Sequence, residues 1–423
     1  MTDSVLITSA VRTPIGKYIG SLKNVEAYEL GAVVLNEAVK RSRLQASQVD
    51  DVIMGQSYQN GESVNIARMS LLHAGWPVEI PGITLDRRCL SGLDSVCFGA
   101  MKILSGFGEI VVAGGVESMS RAEFYIPGEY VKWGLGGSQN AKWGVTPRGH
   151  GFLSMWGLPF FDRIQRARVM SQPIDRFGEL NSMMSWAENA AKSEGITREE
   201  ADSWAVRSHE KALAAIEEGR FQDEIVPIPL KQKNGDTKYF GIDETPRPDS
   251  SLEKLAGLKT IYPDGICTAG NSSTENDGAA AVALMASETA KRLGLQPLAR
   301  LLSFAVAGAD PCLTYPAVPD AVHKALDKAG LDMADIELIE IQEAFSAQLL
   351  ADAKLIGLSA PKMEQKVNVN GSGISLGHPI AATGTMRLVT LVHEMKKRQA
   401  RFGLVTICGG GGQGIAAIVE VLD

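Results

Sequence analysis

Short apolar segments alternate with amphipathic segments in the first and last thirds of this chain. Residues 4–11, 51–55 and 109–115 predict buried strands, and the segments between them have the apolar spacing of helices. Strands that alternate with helices predict a layered α/β fold. Segments 109–115 and 401–408 both follow a helical stretch and run into glycines, and this weak repeat predicts two similar halves. A site shared by such halves would lie at strand ends and helix N-termini.

The composition limits the class of protein. The 423 residues are 45% hydrophobic and carry a formal net charge of -7. This is ordinary for a soluble protein of roughly two or three domains, and the negative charge argues against a nucleic-acid binder. No run reaches about 18 apolar residues, so we expect no membrane span. The six histidines are scattered without paired ligand spacing, so we expect no metal site.

The five cysteines form no CxxC pair. An odd number of widely spaced cysteines fits free thiols in a reducing compartment. The first residues lack the basic start and the apolar run of a signal peptide. We therefore expect a cytoplasmic protein.

Cys89 follows an apolar stretch and the basic pair Arg87 and Arg88, at the point where helical spacing begins. A helix start and two cations favour the thiolate, which is the nucleophilic form of cysteine. Most lone cysteines, however, are small buried apolar residues. At this stage both interpretations of Cys89 stay open.

Regular periodicity disappears between residues 119 and 183. The stretch is rich in glycine, proline and aromatic residues, and five arginines lie between positions 148 and 176. A long segment with little regular structure is usually functional or disordered, and its aromatic content argues against disorder. We interpret it as an insertion that packs over another part of the protein. Its aromatic residues include Phe124, Tyr125, Tyr130, Trp133, Trp143, Phe152, Trp156, Phe160 and Phe161.

Four later segments place polar or reactive side chains in loops and at strand ends; they span residues 269–278, 341–345, 369–379 and 407–414. The third presents His378 in a glycine-rich loop, and the fourth places a second thiol, Cys408, beside five glycines. Each segment alone is better explained as a turn, a cap or a loop. A dinucleotide fold is weakly supported, because no GxGxxG follows a strand and opens a helix.

Taken together, these segments resemble the thiolase family. They occur in family order over nearly the whole chain: residues 5–14, Cys89-Leu90-Ser91-Gly92, residues 114–120, residues 271–278, Gly377-His378-Pro379 and residues 408–414. The resemblance implies an α/β thiolase fold, with two βαβαβαββ halves in five layers and an inserted loop domain. It also implies homodimers or tetramers.

The resemblance divides the chain as follows. The N-terminal half would span residues 1–118 and 183–290, with residues 184–265 partly forming the loop domain. Residues 119–182 would be the aromatic-rich insertion, and residues 291–423 the C-terminal half.

The resemblance further implies cleavage of a 3-oxoacyl-CoA by coenzyme A, or the reverse Claisen condensation, through an acyl-Cys89 intermediate. Coenzyme A would be a substrate, and no other cofactor is implied. His378 resembles the base that activates Cys89, Cys408 the acid or base at the α-carbon, and Gly410 an oxyanion-hole donor. These residue types suit the chemistry, since a thioester enolate needs preformed donors and an acid matched to neutral pH. The residues that match the family's contacts to the pantetheine arm are Ser273 and Met183.

The sequence departs from the family pattern at Gln342, where the family normally has an asparagine that positions a water in an oxyanion hole. The longer glutamine would replace or move that water. Asp86 and Arg87 also replace a more usual asparagine-containing approach to Cys89, and Met184 follows Met183 where the family has glycine.

The insertion between residues 119 and 183 is longer and more aromatic than the family's loop. One hypothesis is that it recognises a bulky, aromatic or carboxylated acyl group, as in aromatic or fatty-acid degradation, where a small accessory subunit would fit. The alternative is that it builds a subunit interface, where aromatic residues and arginine are also enriched. An ordinary acetoacetyl-CoA thiolase and a degenerate scaffold subunit remain further alternatives. Cys408 argues against the condensing relatives, which lack a cysteine in this glycine turn.

Overall fold

The computed structural model describes residues 4–127, 160–178, 183–313 and 315–422. Much of the predicted insertion therefore falls outside the described residues, including Tyr130, Trp133, Trp143, Phe152 and Trp156. The interpretation of that part as a cover over another region stays a prediction.

The strands of the described residues are β1 (Val5–Arg12), β2 (Gly16–Lys17), β3 (Asp51–Gly55), β4 (Gly82–Leu85), β5 (Ile110–Ser118), β6 (Phe124–Tyr125), β7 (Phe161–Asp162), β8 (Ile228–Lys231), β9 (Thr237–Phe240), β10 (Asn276–Ala286), β11 (Ala299–Gly308), β12 (Leu338–Ile341), β13 (Phe402–Gly409) and β14 (Gln413–Glu420).

The α-helices are α1 (Ala27–Arg41), α2 (Ile66–His73), α3 (Ser91–Leu104), α4 (Arg163–Val169), α5 (Ile174–Phe177), α6 (Met183–Glu194), α7 (Arg198–Glu217), α8 (Leu252–Ala256), α9 (Ser287–Leu293), α10 (Ala317–Ala329), α11 (Ser346–Leu355), α12 (Ala360–Lys366), α13 (Gly373–Leu376) and α14 (Ile380–Arg398).

One large mixed sheet runs in the order β12-β13-β14-β11-β1-β10-β5-β3-β4, and β2 pairs with β10. The two ends of this sheet repeat each other. The order β3-β5-β10-β1 matches β12-β13-β14-β11, with a parallel first pair and antiparallel pairs after it in both sets. The halves join where β1 pairs with β11 over Val5–Ile7. The predicted repeat of segments 109–115 and 401–408 is thus confirmed as β5 and β13, which hold equivalent places.

Helices α3 and α14 form the layer between the two halves. Helix α14 packs on β5 and β10 of one half and on β12 and β13 of the other, while α3 contacts β5 and β14. Helices α1 and α2 cover the outer face of the first half, and α10 covers that of the second. The result is the predicted α/β fold of five layers. Helix α14 is buried along most of its length, and its first turns carry small residues such as Ala381 and Gly384 that allow close packing.

The expectation of little regular structure after residue 119 is wrong for residues 161–177. There, β7 pairs with β6, and helices α4 and α5 follow. Asp162 caps α4, because its Oδ1 accepts hydrogen bonds from the backbone N–H groups of Ile164 and Gln165. Ile164 is buried in the central core, so tertiary packing also stabilises this short helix. Among the described residues, no helix is long and apolar enough to cross a membrane.

Candidate active site

Cys89 lies in the turn between β4 and α3, and the helix begins at Ser91 rather than at the cysteine as predicted. Arg88 has a φ of 54°, a left-handed conformation that is uncommon outside glycine. Ser91 Oγ fixes the turn, because it accepts a hydrogen bond from the Arg87 N–H at 2.8 Å and donates to the Arg88 carbonyl at 2.6 Å. In this turn Cys89 is only 4% exposed.

His378 approaches Cys89 from the loop between α13 and α14. The Cys89 Sγ and the His378 Nε2 are 3.3 Å apart. On the other side of the ring, Nδ1 lies 2.7 Å from the Thr383 Oγ1, which donates its own proton to the Pro379 carbonyl at 3.1 Å. The threonine oxygen must therefore accept from the Nδ1–H. This leaves Nε2 without a proton and ready to take one from the Cys89 thiol.

Burial keeps both groups uncharged at rest. Burial raises the pKa of Cys89 to about 12, although Arg88 and the backbone N–H groups of Gly410 and Cys89 oppose it. Burial also lowers the pKa of His378 to about 3, and the positive charge of Arg387 lowers it further. Desolvation therefore outweighs the helix start and the arginines, which favour the thiolate, and the resting Cys89 is a neutral thiol. Arg87 pairs instead with Asp94, at 2.7 Å.

Cys408 lies near the end of β13, where a glycine turn connects it to β14. Gly411 and Gly412 have φ values of 84° and 77°, which a side chain would strain. The Cys408 Sγ donates a hydrogen bond to the Gln348 Oε1 at 2.9 Å. Burial raises the pKa of the Cys408 thiol, and the neighbouring Cys89 and Asp352 raise it further.

The two thiols and the imidazole line one cavity of about 250 Å³. Gly410 and Gln348 also border it. The rest of the wall is mainly apolar and rich in methionine, so bound water would be scarce beside the sulfur atoms. The apolar lining residues include Met119, Val169, Met183, Met184, Phe345 and Ile380.

Comparison with known protein families identifies the family of this chain. A model described as "Thiolase, N-terminal domain" matches residues 5–288, and one described as "Thiolase, C-terminal domain" matches residues 295–421. This chain belongs to the thiolase family. It is an enzyme of that family, with two thiols and a histidine at one cavity.

Relatives match this thiolase over its full length. An acetyl-CoA acetyltransferase of Pseudomonas aeruginosa is 43% identical over 98% of both chains. A beta-ketothiolase, BktB, of Cupriavidus necator is 40% identical over 99% of this chain and 100% of its own. The crystal structure of an acetyl-CoA acetyltransferase of Bacillus anthracis superposes with a TM-score of 0.88 at 42% identity, covering 100% of this chain and 99% of that one.

All but one of the site residues predicted from the sequence line this cavity; those that do are Cys89, His378, Cys408, Gly410, Ser273 and Met183. The exception is Gln342, which is 1% exposed and does not line the cavity. Its Oε1 accepts a hydrogen bond from the Arg387 Nε at 3.1 Å, and its Nε2 has no hydrogen-bond partner among the described residues. The catalytic roles of all these residues, including Gln342, remain predictions.

Three residues that sequence reasoning missed complete the arrangement: Thr383, Gln348 and Asp352. Gln348 follows Phe345 by three positions at the start of α11, so helical spacing could have placed the two on one face. Thr383 lies in the first turn of α14, close after His378. No sequence signal identifies Asp352, because its importance depends on what Gln348 contacts.

Proposed function

We propose that this thiolase cleaves a 3-oxoacyl-CoA whose acyl chain is uncharged, with coenzyme A and through an acyl-Cys89 intermediate, and catalyses the Claisen condensation in reverse. The observation that carries the proposal is the 3.3 Å contact between the Cys89 Sγ and the His378 Nε2, in a cavity that Cys408 also lines. Coenzyme A acts as a substrate, and no other cofactor takes part.

In the first half-reaction, the Cys89 thiol gives its proton to the His378 Nε2 while its sulfur attacks the 3-keto carbon. The bond between the α- and β-carbons then breaks, which leaves the acyl group on Cys89 and the electron pair on a thioester enolate. The Cys408 thiol protonates the α-carbon of that enolate, so acetyl-CoA leaves and Cys408 becomes a thiolate. The backbone N–H groups of Gly410 and Cys89 face the attacking sulfur, where they can stabilise developing negative charge.

In the second half-reaction, coenzyme A gives its thiol proton to the Cys408 thiolate, and its sulfur attacks the acyl-Cys89 thioester. The tetrahedral intermediate expels the Cys89 thiolate, which takes its proton back from the His378 imidazolium. Both cysteines and the histidine thus return to their neutral resting forms. The pKa directions support this scheme, because the buried site favours neutral groups at both ends of the cycle.

The charges at the cavity support an uncharged acyl group. Of the described residues that line it, Arg168 is the one with a fixed positive charge, and it forms an ion pair with Glu275. A carboxylated acyl chain would have to displace Glu275 to use this arginine. We therefore favour a neutral chain over the carboxylated one suggested by the arginines of the insertion.

The described aromatic residues of the insertion do not line the cavity. Tyr125 and Phe161 contact each other with ring centroids 5.8 Å apart, and Arg166 lies over the Phe161 ring at 5.0 Å. These contacts give no support for stacking against an aromatic acyl group. Outside the insertion, Trp186 and Phe345 line the cavity, so recognition of an aryl chain would depend on these two or on residues outside the described part of the chain.

The test compares kcat/KM for acetoacetyl-CoA, a longer saturated 3-oxoacyl-CoA, an aryl analogue and a dicarboxyl analogue. We expect both uncharged aliphatic substrates to be cleaved well and the dicarboxyl substrate poorly. A strong preference for the dicarboxyl substrate would contradict the proposed specificity, whereas a strong preference for the aryl substrate would support the hypothesis of an aromatic acyl group. The names of the relatives favour the alternative of an ordinary acetoacetyl-CoA thiolase, and strict selection of acetoacetyl-CoA would support that alternative.

The intermediate is tested separately. After the enzyme is mixed with an acyl-CoA and quenched, mass spectrometry should find the acyl group on the peptide that contains Cys89. Cys89→Ser should abolish this adduct, whereas Cys408→Ala should retain it but lose carbon–carbon cleavage. If Cys408→Ala cleaves normally, the role proposed for Cys408 is wrong. If no adduct forms on an active enzyme, the covalent route is wrong, and absence of all thiolase turnover would favour the scaffold alternative.

We also propose a homodimer or a tetramer. Strand β4 is at the end of the sheet and pairs with β3 on one side only. Ile83 on this edge is 45% exposed, and Phe98 and Met101 on the adjacent helix α3 are 37% and 41% exposed. An apolar sheet edge of this kind is a ready site for pairing with a second copy. Light scattering coupled to size-exclusion chromatography would measure the mass, and a monomer would contradict the proposal.

A further inference from the structure

Gln348 connects Cys408 to a buried carboxyl group on the same helix. Its Oε1 accepts a hydrogen bond from the Cys408 Sγ at 2.9 Å, and its Nε2 donates one to the Asp352 Oδ2. Gln348 and Asp352 are separated by one turn of α11, so their side chains lie on the same helix face. Thiol, amide and carboxyl therefore form one hydrogen-bonded chain that begins at the cavity wall.

The carboxyl group determines which end of the amide faces the sulfur. The Asp352 Oδ2 accepts a hydrogen bond whether or not the carboxyl group is protonated at Oδ1, so the NH₂ group of Gln348 turns toward Asp352 and the carbonyl oxygen toward Cys408. Without Asp352, the amide could turn over and present its NH₂ group to the sulfur. Asp352 thus keeps one acceptor in place for the Cys408 thiol proton.

Burial of the Asp352 carboxyl group has a free-energy cost that a structural role alone does not explain. Its exposed fraction is 0%, and its Oδ1 has no hydrogen-bond partner among the described residues. Leu349 and Ala353 on the same helix belong to an apolar core cluster, and burial raises the pKa of Asp352. A buried carboxyl group with one hydrogen bond destabilises a fold, and such groups are concentrated at functional sites.

We propose that Gln348 is the positioning residue for Cys408 and that Asp352 fixes the direction of the Gln348 amide. The proposal rests on the role proposed above for Cys408. In cleavage, the Cys408 S–H bond breaks and its proton forms a C–H bond at the α-carbon of the enolate. In reverse, the Cys408 thiolate takes that proton from the methyl group of acetyl-CoA. Displacement of a reacting atom by 1 Å can slow such a step about 100-fold. Activation of Cys89 for attack depends on His378 instead, although departure of coenzyme A from acetyl-CoA would also use the Cys408 proton.

The test measures two half-reactions in Gln348→Met, Asp352→Asn and the control Ser346→Ala. One assay follows acylation of Cys89 by p-nitrophenyl acetate, whose p-nitrophenolate leaving group needs no proton from Cys408, with intact-mass spectrometry. The other follows deuterium entry from D₂O into the methyl group of acetyl-CoA, which requires proton transfer at Cys408. Ser346 is a matched control because its buried Oγ lies on the same helix and has no hydrogen-bond partner among the described residues.

We expect Gln348→Met to lose methyl exchange about tenfold or more while Cys89 is acylated at close to the normal rate. Asp352→Asn should slow methyl exchange less than Gln348→Met does, but the pH dependence of its exchange rate should shift to lower pH. The groups that raise the pKa of Cys408 by their charge are Cys89 and Asp352, and this variant removes the second. Ser346→Ala should behave as wild type in both assays. A purely structural role for Asp352 would not move the pH profile.

Normal methyl exchange in Gln348→Met, or an equal loss in Ser346→Ala, would overturn the proposal. If Gln348→Met does not fold, Asp352→Asn tests the proposal instead. An unchanged pH dependence of methyl exchange in this variant would overturn the proposal. Cys408→Ala separates this proposal from the function on which it rests. If that variant retains methyl exchange, the role of Cys408 is wrong. If it loses exchange while Gln348→Met keeps it, only the positioning proposal fails.

Discussion

Thr383 is expected to set the protonation state in which His378 can act. Replacing it with valine keeps the shape of the side chain but removes the oxygen that lies 2.7 Å from the His378 Nδ1. The Nδ1–H would then be buried without an acceptor, so the proton would favour Nε2 and block transfer from Cys89. A hydrogen bond to a charged group contributes about 1.5–3 kcal/mol, and the imidazolium formed during attack would lose it. We therefore expect Thr383→Val to lower kcat/KM roughly 10- to 100-fold.

The assay is steady-state cleavage of acetoacetyl-CoA, combined with the rate of Cys89 acylation. Thr385→Val is the matched control, because Thr385 lies on the same helix and its buried Oγ1 has no hydrogen-bond partner among the described residues. Thr383→Ser should restore most of the rate, since it returns the hydroxyl group. A Thr383→Val enzyme within twofold of wild type would refute the tautomer assignment. An equal loss in Thr385→Val would show that packing, not the hydrogen bond, is responsible.

Three further predictions address charge at and behind the cavity. Burial lowers the pKa of His378 from 6.5 to about 3, so the unfolded state binds more protons below pH 6.5. As the pH falls from 7 to 5, protonation of this group in the unfolded state should therefore lower the free energy of unfolding of the wild type by about 2 kcal/mol. Urea unfolding of His378→Asn should show a decrease that is smaller by this amount. Glu275→Gln should free Arg168 and raise kcat/KM for a dicarboxyl substrate about tenfold relative to acetoacetyl-CoA, whereas an unchanged ratio would refute the ion-pair argument. Gln342→Met should leave the Arg387 Nε without an acceptor, which should lower the free energy of unfolding by about 2–3 kcal/mol with little change in kcat. A large loss of kcat at normal stability would instead support a catalytic role for the glutamine.

Local patterns predicted the layered fold well, because buried strands and amphipathic helices impose periodicities that can be read residue by residue. Segments 109–115 and 401–408 gave the internal repeat for this reason. The short helix α4 was missed because it depends on the Asp162 cap and on burial of Ile164, not on its own periodicity. The bounds of α3 were displaced because the turn at Arg88 precedes the first helical residue.

The site was predictable only in part. Cys89 and His378 are separated by 289 positions, and no local pattern brings them together; the family resemblance linked them. The neutral resting state of Cys89 could not be predicted, because basic neighbours are visible in a sequence whereas desolvation depends on the whole fold. Thr383 and Gln348 were missed for a related reason, since a threonine or glutamine becomes functional only through the atom that it contacts.

The neutral resting site has a consequence for how the nucleophile forms. A buried thiolate alone is penalised by desolvation, but transfer of the Cys89 proton to His378 creates two opposite charges at once and leaves the net charge unchanged. At a separation of 4 Å and an effective dielectric constant of about 20, their attraction is about 4 kcal/mol. The remaining cost must be offset as the sulfur bonds to the keto carbon and its charge passes to the oxygen, near the N–H groups of the glycine turn. The thiolate is then formed during attack rather than stored. The same burial would protect the resting Cys89 from alkylating and oxidising agents, which react with thiolates.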